Sequence, residues 1–307
     1  MPHPAAARTL VAGDLDASVL PEQGMLVASL RHRGVELLRR VQDLATAAAR
    51  GSSAGIPLLH PWANRLASLR YQAAGLDVAL DPASPLLHFD QNGLPMHGVP
   101  WSRLVWNVTE ASRERIAARL DWSRPELLAL FPFAHRLELV ATLRSDGLTF
   151  ETTLIAGDAG PVPVAFGFHP YLGLPNRFGL SNLSRAEWRL RLPAMRRLAL
   201  DGNGIPTGEE SDFEGFDAPL GDAHFDDGFS LIGERASFSI AGADRQITVE
   251  LLAGYPYAQV FAPRGQDYVA LEPMTAPANA LVSGRGLRLV EPGAAFRAAF
   301  RVGVGRS

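Results

Sequence analysis

The sequence predicts an all-β protein, a large many-stranded antiparallel β-sandwich that forms a single domain over residues 1–307. Segments in which apolar and polar residues alternate with a period of two recur along the whole chain, as in half-buried strands. Segments with helical periodicity are scarce. The 29 glycines and 23 prolines are spread throughout, which is typical of many short strands joined by turns and surface loops.

The clearest strand pair is predicted at residues 137–155, where two alternating segments flank the turn Ser145-Asp146-Gly147. Further alternating segments predict strands at residues 187–192, 238–240, 247–251 and 296–302. One short helix is predicted at residues 43–50, before a Gly-Ser-Ser loop. We find no internal repeat, low-complexity linker or change in composition that would mark a second domain.

Composition narrows the possible chemistry. The chain has no cysteine, which excludes disulfides, thiolate metal sites and a cysteine nucleophile. All 29 basic residues are arginine, so a Schiff-base lysine and a phosphate-binding Walker lysine are excluded as well. The formal net charge of −3 argues against a nucleic-acid or membrane partner that binds through charge alone.

The chain is expected to be cytoplasmic. Asp14 and Asp16 stand where a signal peptide needs an apolar core, and no segment approaches about 18 uninterrupted apolar residues. Composition and charge do not determine the oligomeric state.

Five segments combine ionisable or amide side chains with glycine, proline or aromatic residues, a mixture that is typical of functional loops. These segments are residues 57–65, 94–98, 166–171, 225–229 and 269–275. Asn64 and Arg65 offer donors for hydroxyl groups or an anion, although an arginine in a loop also often caps carbonyl groups. His97 is followed by Gly98, which permits a close backbone approach, but a lone histidine in a loop is commonly structural.

His169 lies between aromatic residues that could pack on a sugar ring or tune the imidazole. Glu272 lies at the end of an apolar segment that predicts a strand, which Pro273 is expected to terminate. A carboxylate buried there is expected to have a charged or hydrogen-bonding partner or to take part in catalysis. Asp226 and Asp227 are adjacent between phenylalanines, and one of them is expected to cap a turn.

No metal or cofactor is predicted. His97, His169, Asp226 and Glu272 could form a metal site, but no HxH or HExxH spacing supports one. A GxSxG nucleophile elbow and the glycine-rich phosphate loops are also missing, which argues against a serine nucleophile and against nucleotide chemistry.

Taken together and in this order, five motifs resemble the aldose 1-epimerase (mutarotase) family. They are PWANRL (61–66), MHG (96–98), GFHPYL (167–172), FDDGF (225–229) and ALEPMTAP (270–277). The resemblance implies a large β-sandwich that interconverts the anomers of a small aldose sugar without a cofactor. It implies that His169 is the general acid and Glu272 the general base, which requires a protonated His169 and an ionised Glu272 near neutral pH. It also implies sugar-binding roles for Arg65, His97 and Asp226, with Asn64 and then Asp227 as further candidates.

The sugar and the exact activity stay open at the level of sequence. Leu172 follows Tyr171, and Val99 follows Gly98, where the galactose-acting branch of the family has different residues. A mutarotase for hexose 6-phosphates would need converging arginines, for which the candidates are Arg70, Arg177 and Arg264. The motifs are also compatible with a non-catalytic sugar-binding protein, or with a glycoside hydrolase that uses Asp226 and Glu272.

Overall fold

The computed structural model describes residues 7–39, 44, 46, 54–173, 185–242 and 244–306. We number its strands β1 to β25 in chain order. The larger of two main sheets has nine antiparallel strands, here in spatial order: β18 (Phe216–Pro219), β15 (Arg189–Leu192), β20 (Ala236–Gly242), β21 (Arg245–Ala253), β25 (Ala295–Gly305), β11 (Gly147–Ala156), β10 (His135–Arg144), β9 (Arg115–Trp122) and β8 (Asn107–Ala111).

The second main sheet has eight strands. Its order is β17 (Pro206–Phe213), β16 (Met195–Leu200), β19 (Phe225–Ser230), β22 (Tyr257–Ala262), β23 (Val269–Met274), β13 (Gly167–Phe168) and β5 (Leu58–Leu59), and β14 (Tyr171–Leu172) also pairs with β23. Three smaller sheets complete the described strands. One has four strands, β1 (Arg8–Ala12), β2 (Leu15–Leu20), β3 (Leu26–His32) and β4 (Val35–Glu36). The other two are the pairs of β6 (Arg70–Ala73) with β7 (Leu76–Ala79) and of β12 (Val162–Val164) with β24 (Arg288–Val290).

Helices in the described part of the chain are short. Two α-helices cover Pro125–Leu128 and Ala280–Ser283, and 3-10 turns cover Pro21–Gln23, Trp101–Arg103 and Arg185–Glu187. None of the helices in these ranges is long and apolar enough to cross a membrane.

The two main sheets pack face to face through aromatic side chains. The ring of Phe168 on β13 lies 5.5 Å from that of Phe150 on β11 and 4.9 Å from that of Phe300 on β25. The rings of Phe150 and Phe300 stack on each other at 4.6 Å. Burial of a phenylalanine side chain typically contributes about 1.5–3 kcal/mol. These contacts belong to one continuous apolar core that extends from Leu10 to Val302, and the chain therefore has the predicted β-sandwich architecture.

The strand predictions are confirmed where the alternation is local. β10 and β11 form the predicted hairpin, and Arg144 pairs with Gly147 across its turn. The segment at 187–192 contains β15, and those at 238–240, 247–251 and 296–302 lie within β20, β21 and β25. The helix predicted at residues 43–50 falls outside the described residues, apart from Leu44 and Thr46.

The prediction that Pro273 ends the strand after Glu272 is wrong. β23 continues to Met274, and Pro273 pairs in register with Ala258 of β22. Proline cannot donate a backbone hydrogen bond, but a strand can contain one where the neighbouring ladder is incomplete. Such an interruption lies on the other side of β23, between β13 and β14.

Candidate active site

The interruption between β13 and β14 brings His169 next to Glu272. Both short strands pair with β23, and the flanking pairs are Gly167 with Met274 and Tyr171 with Ala270. The spacing is the same on the two sides, so His169 falls opposite Glu272 in register. His169 Nε2 lies 3.1 Å from Glu272 Oε1, and the two side chains are 5% and 2% exposed. The sheet register thus joins a histidine and a carboxylate that are far apart in the sequence.

Glu272 has a polar neighbour on its other side as well. Gln259 on β22 pairs in register with Glu272, and its amide Nε2 donates a hydrogen bond of 2.8 Å to Asp226 Oδ1. Gly228 on β19 pairs with Gln259. Because side chains alternate between the faces of a strand, Asp226 shares the face of Gly228, and Asp227 points to the other. Asp227 instead lies 3.5 Å from Arg197.

Arg65 is held in the same region by an ion pair. Its Nε donates to Asp90 Oδ2 at 2.8 Å, and the two side chains are 11% and 2% exposed. Asn64 Oδ1 accepts hydrogen bonds from the backbone N–H of Arg65, at 2.8 Å, and from Arg65 Nη1, at 3.2 Å. The described contacts of the Asn64 side chain thus orient Arg65. On a further side, a Cβ atom at Gly204, which has a φ of +76°, would lie 3.2 Å from Arg65 Nη1.

His97 has its tautomer fixed by the backbone. The N–H of Asn64 donates to His97 Nδ1 at 3.2 Å, so the proton of the neutral imidazole is on Nε2, which can donate to a ligand. Gly98 has a φ of +65°, and a Cβ atom there would collide with the carbonyl oxygen of His60. The ring of His97 meets the ring of His169 edge-on, with centroids 5.5 Å apart.

Burial moves the pKa values of the site away from their usual range. It raises the pKa of Glu272 well above normal; nearby Asp226 adds to this increase and Arg65 opposes it. Burial also lowers the pKa of His169 well below normal, and His97 and Arg39 act in the same direction. Desolvation, together with Arg65 and His88, lowers the pKa of His97 to about 3.

The directions of these pKa shifts are opposite to those expected for an ionised Glu272 beside a protonated His169 in the free protein. A buried site disfavours both charged forms, so the neutral pair, with the proton on the carboxyl group, is favoured. The ion pair and the neutral pair nevertheless contain the same number of protons. They differ only in which side of the 3.1 Å contact carries the shared proton.

The described residues contain no group of three or more His, Cys, Asp or Glu side chains that could hold a metal ion. Of the arginines considered for a phosphate, Arg70 is exposed on β6, and an Arg264 guanidinium nitrogen lies 3.5 Å from His224 Nδ1. Arg177 lies outside the described residues. The convergence of these arginines stays a prediction.

Two residues of this region were not predicted from the sequence. Gln259 is a buried amide in the otherwise apolar strand YAQVFA, and that contrast was a usable signal. Asp90 gave no distinct signal, because its carboxylate also accepts hydrogen bonds from the N–H groups of Asn92 and Leu94, as in an ordinary turn.

Solved structures share this architecture. Slr1438 from Synechocystis sp. PCC 6803 matches with a TM-score of 0.80 and 25% identity, covering 100% of this chain and 98% of that one. Galactose 1-epimerase from Lactobacillus acidophilus NCFM matches with a TM-score of 0.76 and 14% identity, covering 98% of this chain and 94% of that one. The fold is thus that of the galactose mutarotase-like β-sandwiches.

The sequence comparisons are consistent with the fold and define the family. The model of the aldose 1-epimerase family matches residues 9–303. The chain belongs to this family. It is also 25% identical over 314 residues to YihR of Escherichia coli K12, described as an uncharacterized protein, covering 96% of this chain and 92% of that one.

Proposed function

We propose that the protein is an aldose 1-epimerase that interconverts the α and β anomers of a free aldose. The contact between His169 Nε2 and Glu272 Oε1 carries the proposal. Opening a cyclic hemiacetal needs proton removal from the anomeric hydroxyl and proton delivery to the ring oxygen. Both oxygens are bonded to the same carbon, so the two catalytic groups have to lie close to each other, as these do.

The reaction can be written as a balanced transfer of two protons. One group of the pair takes the proton of the anomeric hydroxyl while the other protonates the ring oxygen, the bond from C1 to the ring oxygen breaks, and an aldehyde forms. Rotation about the bond between C1 and C2 presents the other face of the aldehyde. The two proton transfers then run in reverse, which closes the ring as the other anomer and restores the pair.

Counting only protons beyond the one that a neutral imidazole always carries, the pair needs one proton, and either arrangement supplies it. With Glu272 ionised and His169 protonated, Glu272 is the base and His169 the acid in ring opening. From the neutral pair the roles are exchanged. A bound hemiacetal brings hydroxyl groups that solvate either charged form, so the preference for the neutral pair in the free protein does not prevent catalysis.

Four polar side chains around the pair are proposed to bind the sugar hydroxyls. Arg65 and the Nε2–H of His97 can donate hydrogen bonds, and the Asp226 carboxylate can accept them. Gln259 can do either, and its bond to Asp226 orients both groups. Asn64 is proposed to act through Arg65, since its side-chain oxygen already accepts two bonds from that residue.

Three competing functions differ in what they leave unexplained. A sugar-binding protein would need the hydroxyl-binding residues but not a buried acid–base pair, and a glycoside hydrolase would leave His169 without a function. A mutarotase for hexose 6-phosphates uses the same pair and differs only in a phosphate site. Hexose 6-phosphates are therefore included in the test as a second class of substrate.

The test is polarimetry on freshly dissolved α-D-glucose and α-D-galactose, followed by the corresponding hexose 6-phosphates. The wild-type protein is compared with Glu272→Gln and His169→Asn, and with Asp227→Asn as a matched control outside the proposed pair. We expect the wild type and the control to speed the approach to anomeric equilibrium. Each pair variant should lose about 10²–10⁴-fold of that effect while staying folded.

Two results would overturn the proposal. If the wild type does not accelerate mutarotation of any of the four sugars but binds them, the protein is a sugar-binding protein and not an enzyme. If Glu272→Gln and His169→Asn stay as active as the wild type, catalysis does not use this pair.

A further inference from the structure

His169 is packed in a stack of aromatic rings that ends in a cation. The imidazole lies parallel to the ring of Tyr171, with centroids 4.0 Å apart and planes inclined by 12°. The Tyr171 ring is 5.5 Å from the ring of Tyr268. The guanidinium carbon of Arg39 lies 4.3 Å from the centroid of Tyr268 and 5.8 Å from that of Tyr171. Both distances are within the range in which a cation is attracted to an aromatic face.

This stack covers a face of the imidazole, whereas hydrogen bonds to the ring nitrogens lie in its plane. A catalytic histidine is commonly oriented by a bond from its second ring nitrogen to a carbonyl or carboxylate group. The Nδ1 atom of His169 is buried and has no hydrogen bond to another described residue. The parallel ring of Tyr171, together with the edge-on ring of His97, therefore restricts the plane in which Nε2 points at Glu272.

Arg39 is joined to Tyr171 through the backbone as well as through its side chain. The N–H of Arg39 donates to the Tyr171 carbonyl at 2.9 Å, and Leu38 forms a β-bridge with Leu172. The guanidinium is therefore tethered next to the ring that it faces. Nothing in the motifs that mark the family points to this residue, since it precedes the first of them.

We propose that Arg39 is a positioning residue that acts on His169 through the stacked ring of Tyr171. It fixes the plane of the imidazole, and its positive charge disfavours a second proton on the pair of His169 and Glu272. The inference rests on the proposed function, because it assigns Arg39 a role in setting the pH range over which that pair holds one proton.

The charges around His169 give the direction of the effect. Glu272 faces its Nε2, His97 meets its ring edge, and Arg39 lies beyond Tyr171. Asp226 and Arg65 act on Glu272. Arg39 contributes to the low pKa of His169. Its removal should therefore shift both limits of the active pH range to higher pH. At the acidic limit the pair gains a second proton beyond the ring proton of neutral imidazole. At the alkaline limit it loses the shared proton.

The experiment compares the pH profile of kcat/KM for the full chain and three variants. Arg39→Met removes the charge and keeps an apolar side chain, whereas Arg39→Lys keeps the charge. Arg136→Met is the control, because that exposed arginine pairs with Asp121 on the nine-stranded sheet. We expect Arg39→Met to shift the acidic and the alkaline limbs of the pH profile to higher pH by roughly 0.5–1 pH unit. Arg39→Lys and Arg136→Met should keep the limbs of the wild type.

A second measurement does not depend on activity. Long-range ¹H–¹⁵N NMR follows the ring nitrogens of His169, assigned with the His169→Asn variant, through the pH range in which the proteins stay folded. We expect the imidazole to become protonated at a higher pH in Arg39→Met than in the wild type. Identical His169 signals at every pH in the two proteins would overturn the inference. An inactive wild type with shifted His169 signals would refute only the proposed function.

Discussion

Two buried pairs of ionisable side chains lie in different parts of this molecule, and their surroundings distinguish a pair in the core from the pair that is proposed to react. In the core, His60 Nε2 and His135 Nε2 are 3.0 Å apart. In the candidate site, His169 Nε2 and Glu272 Oε1 are 3.1 Å apart. Distance and burial are nearly the same in the two pairs. Only the partner of the histidine and the neighbouring groups differ.

The core pair has a single arrangement of protons. His135 Nδ1 lies 2.6 Å from the carbonyl oxygen of Phe133, so Nδ1 carries the proton and Nε2 is the acceptor for His60 Nε2–H. Trp122 and Phe131 pack around both imidazoles. A further proton would introduce an imidazolium that no carboxylate among the described residues compensates, and burial lowers the pKa of both histidines accordingly.

The site pair can move a proton without changing its net charge. One partner is an acid and the other a base, so transfer along the contact converts a neutral pair into an ion pair. Glu272 Oε2 is also buried without a hydrogen-bond partner among the described residues. Burial of a histidine therefore does not by itself indicate a catalytic site, whereas a buried carboxylate with unused hydrogen-bonding capacity beside the histidine defines a candidate for one.

The largest expected effect separates the two pairs by activity. Glu272→Gln should lower mutarotase activity by about 10²–10⁴-fold, because the amide cannot exchange the proton. His135→Gln should leave the activity of the folded protein within about twofold, since the core pair takes no part in the proposed reaction. Polarimetry with enzyme concentration corrected for the folded fraction measures both. Comparable losses of activity in the two variants would remove the distinction.

The second effect is the loss of stability in acid that the core pair should cause. The folded-state pKa of His135 is lowered from 6.5 to about 4. The unfolded chain therefore binds more protons between these values, and stability is complete above pH 6.5 and falls as the pH drops toward 4. The loss from His135 alone should be roughly 3 kcal/mol.

Urea unfolding at pH 7 and pH 4.5 measures this loss. His135→Gln is the control, because it removes the titrating group, and it should show a smaller difference between the two pH values even though it is less stable at pH 7. Equal pH dependence in the two proteins would contradict the role assigned to the core pair.

A third, smaller effect concerns how the site is held. Asp90→Asn should raise KM about tenfold with a smaller change in kcat, because it loosens Arg65, which is proposed to bind the sugar and not the shared proton. Steady-state kinetics, on whichever of glucose and galactose has the higher kcat/KM, separates an effect on KM from an effect on kcat. A change in kcat alone would show that Arg65 acts in the chemical step.

The smallest effect is expected from two adjacent carboxylates that point to opposite faces of β19. Asp226→Asn should weaken sugar binding several-fold and move the alkaline limb of the pH profile, because Asp226 contributes to the high pKa of Glu272. Asp227→Asn should change kinetics by less than about twofold and stability by at most about 1 kcal/mol, since its partner Arg197 is partly exposed. Kinetic effects of the reverse order would mean that Asp227 faces the sugar.

The sequence was informative about the fold wherever the signal is local. The hairpin of β10 and β11 follows from alternation on both sides of one turn. The prediction that Pro273 ends its strand failed because the interruption beside β23 depends on strands that lie far away in the sequence. The same long-range register decides that His169 faces Glu272 and that Asp226, not Asp227, faces Gln259, so no spacing rule could have predicted either. The candidate residues themselves could be named from the motifs, but the low tendency of the free pair to be charged depends on its burial.

Three polar residues of the candidate site and the turn beside Arg65 belong to different kinds of structure. Glu272, Gln259 and Asp226 stand on neighbouring, hydrogen-bonded strands, whereas the turn that carries Gly204 is closed on itself by bonds from the N–H groups of Asn203 and Ile205 to Asp201. Because these bonds lie within the turn, substitutions there are expected to leave the strands of the site in place. A library of variants confined to residues 201–205 should therefore change which sugars are accepted, read out as KM, before it changes the turnover of those that bind.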